Sequence, residues 1–394
     1  MDVFKKPLPI APDYKMRVFL LLLFFTPNAL SCFSQSLPYS HSKLIRGIEI
    51  DWSTHQRHAV GSDNFALTWA DDGHLYGPWG DGGGFGGTNS KHRVSLGVAR
   101  IEGPADNYRG VNRYGHADNS ESTATIKGKS WGIVSVAGVL YMWVHPDQPG
   151  GWGNWGEIAK EARLHRSDDK GASWQAADWA VTNADGLVGG NILQYGRDYA
   201  DAGRPSALNN YVYHYFVKPN AIPDTAGRAS ELHKPGLIYL ARVPKDQLMQ
   251  RESYEFYAGE RGGKALWTKD LNKKKAVFQD ENGVGMTIGI SYNPGLKRYL
   301  LTTEHEFGER GNFGLFEGPT PWGPWATVSY LSRGKGTEFG HERAAEVPPN
   351  TFYWTFPTKW MDASGRELTM TFTGAGRGKD NDSFNTVKVN LLTN

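Results

Sequence analysis

Ser167-Asp168-Asp169-Lys170-Gly171-Ala172-Ser173-Trp174 spells out one turn completely. It fits the pattern S-x-D-x-G-x-x-W, the Asp-box. Asp169 ties the turn through local hydrogen bonds, Gly171 supplies a backbone angle that other residues avoid, and Trp174 plugs between sheets. Asp-boxes are structural turns found mostly in β-propellers, so none of these residues is assigned to an active site. The neighbouring sequence repeats a related theme. Trp69–Tyr76 (WADDGHLY), Ser135–Val144 (SVAGVLYMWV), Ser291–Leu301 (SYNPGLKRYLL) and Trp360–Phe372 (WMDASGRELTMTF) each read as two strands closed by a glycine turn. The turn glycines recur at long intervals, 65 residues from Gly73 to Gly138 and 70 from Gly295 to Gly365. A degenerate repeat of hairpins predicts a propeller.

Composition agrees. The 394 residues include 48 Gly, 14 Trp, 18 Tyr and 18 Phe, and helical periodicity is scarce. The expected fold class is all-β, a single β-propeller. At roughly 45–50 residues per four-stranded blade it would have seven blades. No linker divides the chain after the N-terminus. Asn154–Leu164 reads as a short helix or a strand, Pro244–Arg251 as one helical turn, and Val217–Gly236 as a long surface loop.

Residues 1–35 read as a secretory signal, with basic residues ahead of Val18–Phe25 (VFLLLLFF), which is too short for a permanent span. Residues 36–394 are then the propeller, in a secreted or periplasmic protein. Cys32 is the only cysteine and is a candidate lipid anchor of an outer-membrane lipoprotein. Without it the mature chain has no disulfide and no thiol chemistry. The formal net charge is +2, and removing the leader with Lys5, Lys6, Lys15, Arg17, Asp2 and Asp13 leaves a neutral remainder. Bulk charge therefore gives no sign of a nucleic-acid surface. A monomer is expected.

Two strand-like runs, Tyr211–Phe216 (YVYHYF) and Leu237–Arg242 (LIYLAR), flank a long insertion and set Tyr213 beside Arg242. A phenol next to a guanidinium is chemically useful, because arginine binds carboxylates bidentately and its field favours a phenolate. His145 leaves the strand Tyr141–Val144, and His116 sits in a polar loop; both suit proton transfer near neutral pH. The run Asp63–Gly87 is rich in glycine but lacks the Lys-Ser/Thr of a phosphate loop. Most of it reads as blade core and solvated loop, with Trp79 a candidate stacking platform for a sugar ring. His305 and His341 lie near Glu304, Glu306, Glu338 and Glu342 without the spacing of a metal motif. No cofactor is required, and calcium or zinc binding stays open. G-x-S-x-G is absent, and no spacing singles out a carboxylate pair.

Taken in order, Ser95–Ile101, Gly128–Val144, the Asp-box, Gln194–Ala200, Tyr211–Tyr213, Leu240–Pro244 and Pro321–Trp325 are familiar phrases. Over roughly residues 48–390 the chain resembles the secreted seven-bladed propeller polysaccharide lyases of the ulvan and rhamnose–glucuronate type, and the related α-L-rhamnosidases. The resemblance implies β-elimination at a uronic acid, with two histidines, a tyrosine and an arginine at the site. Tyr213, Arg242 and His145 fall on matching phrases. The other histidine is expected within Ser122–Lys127, where the chain has none, which leaves His116 as its nearest candidate. Lys129 and Tyr211, within two of these phrases, are expected substrate contacts. A cysteine-ligated zinc known in some relatives has no counterpart. In such a reaction Arg242 would neutralise the uronate, and Tyr213 or His145 would remove the proton α to it. Two alternatives stand beside this lyase. One is a glycoside hydrolase of the rhamnosidase kind on the same propeller, and the other is a non-catalytic sugar-binding propeller. All three take a polysaccharide or oligosaccharide as partner.

Overall fold

The computed structural model describes residues 37–115, 126–146, 160–200, 207–219, 232–306, 312–334, 337–339, 347–348, 350–375 and 381–394. Its strands form five antiparallel blades. Blade I is Thr68–Trp69, Leu75–Gly80, Leu96–Glu102 and Arg109–Tyr114. Blade II is Gly128–Val136, Val139–Pro146 and Glu161–Ser167, with Val181–Thr182 and Gln175–Ala176 on its outer side. Blade III is Val188–Ile192, Tyr211–Val217 and Gly236–Pro244. An added hairpin, Glu255–Arg261 with Lys264–Thr268, pairs with one half of its third strand, and Ala276–Asp280 pairs with the other half. Blade IV is Gly289–Asn293, Arg298–Glu304, Phe313–Gly318 and Ala326–Tyr330. Blade V is Thr351–Thr355, Glu367–Gly374 and Phe384–Thr393, closed by Ile45–His58 from the other end of the chain.

Five blades replace the seven expected from length. The reason is already visible in the 65- and 70-residue spacing of the turn glycines, which is wider than a minimal blade. The extra residues lie between strands. Three of the four expected hairpins are blade hairpins. The fourth, Trp360–Phe372, contains only a bridge from Met361 to Leu368, and blade V instead pairs Thr351–Thr355 with Thr371–Gly374. Where a helix or strand was expected near Asn154–Leu164, Glu161–Ser167 is a strand and residues 154–159 lie outside the described residues. Most of the long Val217–Gly236 loop is likewise outside them.

The Asp-box closes as its chemistry requires. Asp169 Oδ1 accepts from Ala172 N at 3.0 Å and Ser173 N at 2.8 Å, Ser173 Oγ donates to Oδ2 at 2.6 Å, and Gly171 has φ +86°. The innermost strands of all five blades meet at the axis. There Trp131, Ile133, Ile192, Ile288, Ile290, Tyr353 and Phe356 leave only a small cavity. Among the described residues the ring is packed along its axis, so an axial site would sit at one of its ends. Here the upper end is the one where the innermost strands begin.

Candidate active site

Tyr213 and Arg242 stand directly opposite each other in the register of blade III, as the sequence predicts. Their surroundings differ from the expectation. Arg242 is already engaged: Nε donates to Glu255 Oε2 at 2.9 Å and Nη2 lies 2.7 Å from the same oxygen. The guanidinium carbon is 4.1 Å from the Tyr211 ring centroid and 4.2 Å from that of Trp267. Tyr211 is therefore one wall of an aromatic cage around Arg242, and its face is covered. Tyr213 is 1% exposed. Burial pushes its phenol above the ordinary range, and the opposing pull of Arg242 does not offset that. Tyr213 Oη makes no hydrogen bond of good geometry.

His145 lies at the other end of the ring. It is the penultimate residue of the second strand of blade II, is buried, and its Nε2 is 2.9 Å from the Gly189 carbonyl. Gly189 is at the start of the innermost strand of blade III, whereas Tyr213 O accepts from Leu193 N beyond that strand's finish. Four residues of strand, about 13 Å, separate those two levels. The side chains also face apart: His214, not Tyr213, turns toward blade II, where its Nδ1 accepts from Trp143 Nε1 at 3.0 Å. The expected grouping of His145, Tyr213 and Arg242 is not brought together. His116 is outside the described residues.

Trp79 is fully buried in blade I, with Nε1 donating to Gly82 O at 3.2 Å, so it has no face to offer a sugar. His305 is fully buried and stacks on Tyr330 at 3.8 Å; burial lowers its pKa to about 3 and it stays neutral. His341 and Glu342 lie outside the described residues. Among the described residues no group of three or more His, Cys, Asp or Glu side chains has the arrangement of a metal site.

The upper mouth holds a cluster that motif reading passed over. Lys129 begins the innermost strand of blade II opposite His145 and is 1% exposed. Its Nζ pairs with Asp81 Oδ1 and donates to Ser95 O at 3.3 Å. Asp81 Oδ2 also pairs with Arg93 at 3.0 Å. Asp63 is held by two backbone hydrogen bonds with Gly80, both 2.8 Å, and its Oδ1 accepts from Asn64 Nδ2 at 3.0 Å. Gly80 makes this approach feasible: a Cβ there would collide with Asp63 Oδ1 and fall 2.9 Å from Lys129 Cδ.

Asp382, in the connection before the last strand of blade V, joins from across the ring closure. Its carbonyl accepts from Gly61 N at 2.8 Å and its Oδ1 from Asn381 Nδ2 at 3.1 Å. Burial raises its carboxyl pKa above the ordinary range, and the Asp81 charge raises it further. The Asn381 bond, Lys129 and Arg93 pull it back only in part. Glu304, 5% exposed at the end of the second strand of blade IV, accepts from Tyr353 N at 3.3 Å. The mouth thus combines a carboxyl whose pKa burial raises, two further aspartates and one buried ammonium. The blade strands on either side of residues 116–125, 147–159, 307–311 and 376–380 reach this face.

No protein-family model and no curated protein matches the sequence. Solved structures similar to the chain include an α-L-arabinofuranosidase from Podospora anserina in complex with cellotriose. That match has 11% identity, covers 89% of this chain and 96% of that one, and has a TM-score of 0.44. A GH43_1 enzyme from Xanthomonas citri matches at 11% identity over 85% and 91% of the two chains, with a TM-score of 0.47. An endo-1,4-β-xylanase from Bacteroides thetaiotaomicron matches at 10% over 84% and 90%, with a TM-score of 0.44.

Proposed function

We propose that this protein is an exported glycoside hydrolase whose reaction takes place at the upper mouth of a five-bladed propeller. The observation that carries the reading is the Asp382 carboxyl, raised by burial, beside an Asp81 carboxylate that Lys129 and Arg93 hold in place. Glycosidic hydrolysis needs one carboxyl that keeps its proton for the leaving oxygen and a second that is ionised. Asp382 fills the first role. Asp63, whose carboxylate meets Lys129 across Gly80, is assigned the role of activating water. Asp81 has its charge committed to two cations. It orients the cluster and helps keep Asp382 protonated.

The β-elimination reading has less to support it, because the Arg242 guanidinium meant to neutralise a uronate is caged and far from His145. The test is incubation with a panel of neutral and uronate-bearing polysaccharides, following reducing ends and ultraviolet absorbance together. New reducing ends with flat absorbance are expected, lost by ~10²–10⁴-fold in Asp382→Asn and Asp63→Asn. An absorbance rise from a conjugated uronate would sink the hydrolase and restore the lyase.

A further inference from the structure

A second cavity lies away from the carboxyl cluster, between blades II and III, with a volume of about 480 Å³. That is within the range of ligand pockets, roughly 300–1,000 Å³. Trp179, Phe216, Tyr254 and Phe256 form its floor, with Leu187 and Leu271 beside them. Trp179 is fixed on three sides: Nε1 donates to Met249 O at 2.7 Å, and its ring meets Trp143 at 5.7 Å and Tyr254 at 5.2 Å. It remains partly exposed, so part of an aromatic surface is held rigid at the edge of the cavity.

The rim carries Asp185, Arg251, Glu252 and Lys269. Arg251 pairs with Asp185 at 3.2 Å, donates to Ala180 O, and sits 6.0 Å over the Trp179 ring. Two acids and two bases leave the rim without net charge, which disfavours a strongly charged ligand. Donors and acceptors around an apolar aromatic floor suit a ring with C–H groups on its face and hydroxyls on its perimeter.

We infer that this cavity binds a neutral glycosyl unit of the polymer cleaved at the upper mouth, as a holding site separate from the chemistry. The inference rests on the saccharide reading above. The test uses the full-length protein carrying Asp382→Asn, so that polymer is not consumed, in affinity electrophoresis through gels containing each polysaccharide of the panel. Trp179→Ala should weaken retardation about tenfold. A double rim variant, Glu252→Ala with Lys269→Ala, removes exposed side chains only. It should weaken retardation severalfold with unchanged Tm. In the otherwise native protein, the rim variant should leave hydrolysis of a short soluble oligosaccharide unaltered. Equal retardation of parent and rim variant overturns the holding site, as does retardation by none of the glycans. Trp179-dependent retardation without any release of reducing ends would keep the cavity and discard the hydrolase.

Discussion

At the lower end of blade III a guanidinium rests between two aromatic rings with its carboxylate partner already in place. At the upper mouth, three aspartates gather around one buried ammonium and one arginine, and burial raises the pKa of one of them, Asp382. Both clusters contain opposite charges in partly buried surroundings. Among the described residues the upper one has three acids to two bases, the lower one acid to one base. In the lower cage each charge of Arg242 and Glu255 is met, and what remains, the Tyr213 hydroxyl, is buried and hard to ionise. A saturated ion pair holds strands together. A frustrated carboxyl group is a site where a proton can be exchanged with a substrate.

The sharpest way to break this comparison is to move the same kind of change between the ends. Asp382→Asn at the mouth should cost ~10²–10⁴-fold in turnover. Arg242→Lys in the cage should leave turnover within about twofold and act on melting temperature instead, since Lys cannot reproduce a bidentate, ring-stacked contact. Equal losses at both ends would erase the distinction. Next in size, Lys129→Met should lower stability by about 1–3 kcal/mol in denaturant titration, because it takes the buried cation from Asp81 and leaves that carboxylate with Arg93 alone.

A pH profile sharpens the same point. Asp382 must be protonated to act, so turnover should fall as pH rises through its raised pKa. Its effect on stability runs in parallel. A carboxyl whose pKa is higher folded than unfolded contributes stability that is fully present below the unfolded pKa and lost as pH rises through the folded one. Asp382→Asn should therefore gain Tm relative to the parent at pH 8, and the gap should close in acid. The smallest effect is expected from Tyr213→Phe. The lost hydroxyl makes no hydrogen bond of good geometry, so a change within about 0.5 kcal/mol is expected by calorimetry.

Strand, turn and Asp-box were legible because each is written in contiguous residues. The Tyr213–Arg242 register was legible too, since two alternating runs place them opposite each other. Their separation from His145 was also readable in principle. Tyr213 is third in the second strand of its blade and His145 next to last in the second strand of the neighbouring blade, so equivalent strands carry them to opposite ends. Blade count went wrong by assuming minimal blades when the glycine interval was wider. The carboxyl cluster was not legible. Asp63 and Asp81 lie in one glycine-rich run, but Asp382 reaches them only through the closed ring, and no local pattern marks a carboxyl as raised.

That closure joins Ile45–His58 to Phe384–Thr393, with Ile45 opposite Thr393. Asp382 precedes the last strand, and Gly61 and Asp63 follow the first. The cluster is therefore assembled by the clasp that shuts the ring, and a chain shortened by its last ten residues would lose the clasp and the cluster together. On the hydrolase reading proposed above, turnover would then report on the ends of the polypeptide, because opening the seam parts Asp382 from Asp63 and Asp81.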